Sequence, residues 1–467
     1  MEQTKRSQPP VSRPQARTRV LILGAGGRDF HNFNVHYRDD PRYEVVGFTA
    51  TQIPDLEGRV YPPQLAGPHY PSGIPVFAEE ELPELVRELG VADVVFAYSD
   101  VSHLHVMHVA SAALAAGANF VLLGPDATMI EAAVPVVSIC AVRTGAGKSQ
   151  TTRRIAEILR RRGRRVAVIR HPMAYGDLVR QRVQHFARVE DLDAAGVTIE
   201  EREEYEPHLQ RGSVVFAGVD YEAIVRAAES EADVLVWDGG NNDFPFLRSG
   251  LRIVVADPLR AGHELTYHPG ETNLRMADVV VINKVDTAGS DAVQRVRANV
   301  TAVNPKARVV EAASPVRVDE PDRIAGRRVL VVEDGPTLTH GGMAFGAGVA
   351  AARQFGAAEI VEARQYAVGS LREVYRQYPH LSTVLPAMGY SPAQIHELEE
   401  TINAADCDLV VIGTPVDLRR IMSIRRPAVR VQYDLEERTT PNLDDIVGEW
   451  LAQTREQSRS RRGDRCL

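Results

Sequence analysis

At 467 residues, with 44% apolar and 25% charged side chains, the chain has the composition of an ordinary soluble globular protein and the length to bury two or three domain cores. A net charge of −8 gives no reason to expect nucleic acid or an acidic membrane as partner, and no apolar run suits a signal peptide or a membrane span. Its three cysteines, Cys140, Cys407 and Cys466, fall in no CxxC or metal-ligand spacing, so a reduced, cytoplasmic enzyme is expected.

Residues 1–17 read as a disordered tail. Strand-like and helical runs then alternate, the mark of α/β domains with parallel sheets. The first unit, 18–132, opens with TRVLILGAGG and closes with NFVLLGP. Its loop LILGAGGRDFHN places Gly24 and Gly26 as in a dinucleotide fingerprint, but the third glycine position holds Asp29. The second strand ends FTATQ, with no acid to hold a ribose hydroxyl. A Rossmann-like domain without an NAD(P) site is the expectation. His103, His105 and His108 stand at the start of a helix without a Cys or carboxylate pattern, which suits polar surface or ligand contact better than a metal.

The second series of strands starts at VPVVSICAV, and 133–440 reads as one large domain with a long sheet. RTGAGKS follows that strand and QTTRRIAEILRRRG continues as a helix, the strand–loop–helix context that a P-loop requires. The nucleotide-binding residues expected here are Arg143, Thr144, Gly145, Ala146, Gly147, Lys148, Ser149 and Gln150. Backbone N–H groups and the helix N-terminus would cradle phosphates, Lys148 would reach the β/γ oxygens, and Ser149 would ligate Mg²⁺. The strict pattern asks for glycine at Val142, and Arg143 stands where one P-loop branch carries a second lysine. The chain has only four lysines against fifty arginines, so a lysine kept here points to a need for a compact ammonium.

Further along, ADVLVWDGGNND ends a strand in Asp238, placed like the carboxylate that holds Mg²⁺ through water. ADVVVINKVD ends another in Asn283, Lys284 and Asp286, the N-K-x-D pattern that reads guanine, although Asn283 can also serve adenine. GTP suits these residues, and the base is less firmly read than the phosphates. Residues 441–467 read as a C-terminal helix and basic tail.

Taken together, GAGGRDFHNFN, VVFAYSDVSH, CAVRTGAGKSQTT, VIRHPMAYGDL, WDGGNNDFPF, ADPLRAGHE, HPGETNLRMADVVVINKVD and VEDGPTLTHGGM resemble the cyclic 2,3-diphosphoglycerate synthetase family, from about 18 to 440. The resemblance implies a P-loop NTPase (SIMIBI-like) domain with a mainly parallel sheet, a homodimer, and ATP-driven closure of a phosphoanhydride within 2,3-diphosphoglycerate. A small anionic phosphorylated substrate of that kind needs many cations around it. Strand ends offer Arg170, His171, Arg260, His263, Arg275 and His340, with Tyr175 and Asp177 nearby. Lys148, Asp238, Arg170 and His171 are the residues expected to carry catalysis. Two further classes were weighed against this synthetase. A GTPase of the metallochaperone or switch type is suggested by NKVD, and a regulatory scaffold would lack the phosphate lysine or the Mg²⁺ carboxylate that this chain has.

Overall fold

The computed structural model describes residues 16–50, 57–170, 176–240, 243–339, 341–389 and 391–463, the side chains of 457–463 excepted. The chain forms two compact units, one of residues up to Ala97 with His108–Leu123, the other of Tyr98–Met107 with Gly124 onward. Both are α/β, as the alternation of apolar strands and helices requires. Among the described residues no helix is long and apolar enough to cross a membrane.

In the first unit β1 (Thr18–Leu23), apolar and buried from Val20 on, lies between β2 (Tyr43–Ala50) and β5 (Asp93–Phe96), parallel to both. Strands β3 (Val60–Tyr61), β4 (Ile74–Ala78) and β6 (Asn119–Val121) complete the order β3-β4-β2-β1-β5-β6. The glycine loop after β1 is filled by its own chain. Asp29 accepts hydrogen bonds from the N–H groups of Gly26 (2.9 Å), Gly27 (3.0 Å) and Phe30 (2.7 Å). A Cβ on Gly24 would stand 2.6 Å from the same carboxylate. The amides that a dinucleotide fingerprint offers to pyrophosphate are thus spent on Asp29, the residue standing where the pattern wants its third glycine. Burial outweighs those amide bonds and lifts the Asp29 carboxyl to about 6.

The second unit departs from the single long sheet read in the sequence, because most of its strands divide into two sheets, beside a short antiparallel pair of Val101–Ser102 with Tyr267–His268. The first sheet is built on β7 (Val136–Ala141), β8 (Val166–Arg170), β9 (Gln184–Phe186), β10 (Val214–Ala217), β11 (Val234–Asp238), β12 (Leu251–Ala256), β13 (Val279–Ile282) and β14 (Arg308–Ala313). A second series follows: β15 (Val316–Val318), β16 (Arg328–Asp334), β17 (Glu359–Ile360), β18 (Val384–Ala387), β19 (Leu409–Ile412), β20 (Ala428–Tyr433) and β21 (Glu436–Glu437). The first sheet runs β9-β10-β8-β11-β7-β12-β13-β14-β21 and is parallel except at its two edge strands. β21 pairs antiparallel with β14 and forms that edge of the sheet. The second sheet runs β15-β20-β19-β16, and β16 pairs along its length with both β17 and β18. Strand β7 is buried throughout, so its C-terminal end delivers the glycine loop from the centre of the sheet.

Candidate functional site

The loop after β7 turns through Gly145 (φ 77°) and Gly147 (φ 112°) and enters helix α1 (Lys148–Arg161). At Gly147 a side chain is impossible on two counts: the left-handed φ, and Asn283 Nδ2 lying where its Cβ would go. The N-K-x-D segment therefore packs onto the phosphate loop. Asn283 Nδ2 donates to Ala146 O (2.9 Å), and Lys284 Nζ donates to Gly145 O (2.6 Å) and to Asp257 Oδ2 (3.0 Å). Burial lowers the Lys284 pKa; Asp257, also buried, is nonetheless held below its usual range by the Lys284 and Arg260 charges. Asp286 is exposed and accepts from Ser314 N–H (3.1 Å), and Ser314 Oγ in turn donates to Gln150 Oε1 (3.1 Å).

Arg143 is a clamp rather than a loose cation. Its Nε donates to Asp100 Oδ1 (2.6 Å), its Nη1 meets His263 Nδ1 (2.6 Å), and its guanidinium lies 3.7 Å over the Tyr267 ring. Asp100 also accepts from Thr144 N–H (3.3 Å), so the segment at 98–107 braces the start of the loop.

Lys148 donates to Asp238 Oδ1 at 2.6 Å. The other oxygen of Asp238 meets Arg170 Nη1 (2.6 Å) and His208 Nε2 (3.0 Å). Asp238 and Arg170 are at most 1% exposed as side chains. Burial alone would raise the Asp238 carboxyl, but the Arg170 and Lys148 charges and the His208 bond hold it well below the usual range. Burial and the Arg170 charge lower Lys148 to about 8. Hydrogen bonds from Lys148 and His208 and the Arg170 charge surround Asp238, leaving its carboxylate little room for a cation in direct contact. Among the two metal residues expected from the sequence, Ser149 is the one that lines the open cavity.

That cavity, about 180 Å³, is lined by the phosphate loop (Thr144, Gly145, Gly147, Lys148, Ser149, Gln150). It is also lined by acids: Glu203 and Glu204 from helix α2 (Ile199–Gln210), and Glu333 and Asp334 from the end of β16. Glu203 and Asp334 are close enough to bear on each other's protonation, Thr414 Oγ1 donates to Glu203, and Thr337 Oγ1 donates to Asp334 at 2.8 Å. Burial, then repulsion from Asp334, pushes Glu203 well above its usual value; Asp334 is raised by burial. Glu333 caps a second helix, α3 (Ala347–Gln354), accepting from Gly346 (3.0 Å), Gly348 (3.1 Å) and Val349 (2.8 Å), and burial lifts it to about 7.

The strand-end cations are placed less uniformly than the sequence suggests. Arg170 pairs with Asp238 and Glu204. Arg260 pairs with Asp257 (2.8 Å) and donates to Gly341 O (2.7 Å), beside Arg143 and His263. Arg275 forms an i,i+4 pair with Glu271 (2.6 Å), half-exposed and outside the cavity lining. Asp177 caps its own turn by accepting from Val179 and Arg180 N–H. His171, Tyr175 and His340 lie outside the described residues. His105 Nε2 meets Tyr98 Oη at 2.7 Å, His103 lies 3.7 Å from Glu271, and His108 is exposed; among the described residues they form no group able to hold a metal.

Sequence reasoning missed Asp100, Glu203, His208 and Asp334. Asp100 and Asp334 sat in quoted stretches, each at a strand end. Glu203 and His208 belong to EEREEYEPH, whose charge density reads as a solvated face; in the fold Glu200, Glu201, Glu203, Glu206 and His208 are all buried.

Comparison with known proteins adds the family. The chain is 63% identical over 432 residues, 92% of its own length and 96% of the relative's, to the arginine synthetase ArcE of Thermococcus kodakarensis. It belongs to that family. The chain is thus a P-loop enzyme of the nucleotide-dependent synthetase kind. Residues 233–311, from β11 to β14, also match the CobW/HypB/UreG nucleotide-binding domain family. Among solved structures, LpxK from Aquifex aeolicus in complex with ATP is 12% identical, over 69% of this chain and 90% of that one, with a TM-score of 0.41. Cobyrinic acid a,c-diamide synthase from Mycobacterium smegmatis is 16% identical, over 38% and 72%, with a TM-score of 0.18. Likeness at these scores says nothing of substrate.

Proposed function

We propose that the chain is a nucleotide-driven synthetase whose product is arginine, formed by activating a ureido oxygen with the γ-phosphoryl group. The carrying observation is the buried Glu203–Asp334 pair, which lines the same cavity as Lys148. A carboxyl–carboxylate pair that shares one proton carries about one negative charge, suited to one guanidinium or to the N–H edge of a ureido group. In this reading the γ-phosphoryl bond to the nucleotide breaks and a bond from phosphorus to the ureido oxygen forms, releasing the nucleoside diphosphate. Ammonia then attacks the ureido carbon, phosphate leaves with the former ureido oxygen, and the acid pair takes the proton lost by the attacking nitrogen. Lys148 and the loop amides stabilise the transferring phosphoryl oxygens. Mg²⁺ on the nucleotide phosphates, with Ser149 as this chain's ligand, would supply further charge neutralisation.

Cyclic 2,3-diphosphoglycerate synthesis remains the reading favoured by the motif stretches. Against it stand the carboxylate partners of Arg143, Arg170, Arg260 and Arg275, and the occupation of the α3 N-terminus by Glu333. A polyphosphorylated acid placed among Glu203, Glu333 and Asp334 would meet repulsion where it needs cations. The match to the CobW/HypB/UreG family and the N-K-x-D segment keep GTP open as the nucleotide.

Calorimetric titration separates the substrates. Arginine should bind the wild type, and Glu203→Gln or Asp334→Asn should weaken it roughly 10- to 150-fold, the usual worth of one charge-assisted contact, without altering nucleotide affinity. Binding of 2,3-diphosphoglycerate with no binding of arginine would overturn the proposal.

A further inference from the structure

The structure assigns His208 a role as a positioning residue for the phosphate lysine, acting through Asp238. Lys148 is an ammonium with three donors, one of which is fixed on Asp238 Oδ1 at 2.6 Å. The remaining two are left for phosphate oxygens on the cavity side, where Lys148 is a lining residue. Their direction depends on where the Asp238 carboxylate is held. Its second oxygen is fixed from two sides, by Arg170 Nη1 from β8 (2.6 Å) and by His208 Nε2 from α2 (3.0 Å). Arg170 comes from the neighbouring strand of the same sheet and moves with it. His208 comes from a different layer and ties the carboxylate directly to the helix that also presents Glu203 and Glu204 to the cavity, a helix that Arg170 meets only through Glu204.

Two features separate this from ordinary packing of a buried histidine. His208 is 1% exposed, yet its Nδ1 has no hydrogen-bond partner among the described residues, so the ring's hydrogen bonding is directed at Asp238. Nε2–H is the group that donates to that carboxylate. Asp238 already carries two cations, and a third donor fixes its orientation. The helix is thereby keyed to the lysine through one carboxylate, with Glu203 five residues earlier on the same helix lining the cavity.

The test compares His208→Gln with His208→Asn. A Gln amide nitrogen stands as many bonds from Cα as the imidazole Nε2 and reaches Asp238; the Asn nitrogen falls one bond short. Nucleotide cleavage, followed as phosphate release with Mg·ATP and with Mg·GTP, gives kcat and nucleotide KM for each. The expected result is a Gln variant within about threefold of wild type, and an Asn variant with kcat about 10- to 100-fold lower at similar nucleotide KM, the cost of a misaligned catalytic group. Equal kcat in the two variants, at whatever level, would overturn the assignment, as would a loss seen only in melting temperature. The inference rests on Lys148 as the phosphate lysine and not on the acceptor. Absence of arginine binding to the wild type would count against the proposed reaction alone, and equal Gln and Asn kinetics against His208 alone.

Discussion

Lys148 keeps its ammonium in a largely dry corner, where burial and the Arg170 charge bring its pKa to about 8 against the pull of Asp238. A phosphate contact needs the protonated form. Nucleotide kcat/KM should therefore fall as pH rises through about 8, and Lys148→Arg, whatever its rate, should lose that limb because a guanidinium stays charged. Lys148→Ala should abolish turnover, since Arg170 and His208 still hold Asp238 but nothing replaces the phosphate donor; unchanged hydrolysis would overturn the P-loop reading. Asp29 offers a prediction of another kind. Its folded pKa of about 6 lies above the usual 3.8, so the folded state binds the proton more tightly than the unfolded chain does. The stability it contributes is complete below about pH 4 and is lost as pH rises through 6. Melting temperature against pH should show that decline in wild type, and Asp29→Asn should flatten it.

At the scale of elements, the glycine loop, helix α1 and the N-K-x-D strand end were legible because their chemistry is local: glycines at forced turns, a lysine at a helix start, an apolar strand before each. The contact between them follows from the sheet, in which β7 and β13 are separated by β12 alone. Gly147→Ala should therefore disrupt both the loop and its Asn283 contact. The variant is expected to stay folded, since the core strands are untouched, while nucleotide affinity measured by titration falls at least tenfold; wild-type affinity would show that the packing seen here is not needed. Helix α2 was illegible for the opposite reason. Its sequence carries no amphipathic stripe, and its acids are buried by partners far along the chain, such as Thr414 for Glu203 and Arg420 for Glu206. The arginines at 143 and 170 were found as residues but not as pairs, because Asp100 and Glu204 approach them only in three dimensions, whereas Asp257 stands three residues from Arg260.

Over the whole molecule, charge is distributed so that the cations of the glycine loop and the buried acids share one cavity within the second unit. A chain with net charge −8 carries its few lysines where an ammonium is needed, two of the four at the nucleotide loop and its clamp. The division of the strands into two sheets is what creates the cavity, since the end of β16 supplies Glu333 and Asp334 to the same lining as the loop that follows β7. On the proposed reading, the glycine loop and the acid pair together make a guanidino product. The most direct measurement incubates the enzyme with Mg·ATP or Mg·GTP, ammonium and citrulline, the amino acid whose ureido oxygen stands where arginine has nitrogen, and follows arginine and phosphate together. The account predicts arginine, nucleoside diphosphate and phosphate in equal amounts, with no turnover in Lys148→Ala. Failure to form arginine, with 2,3-diphosphoglycerate instead converted to its cyclic anhydride under the same conditions, would contradict it.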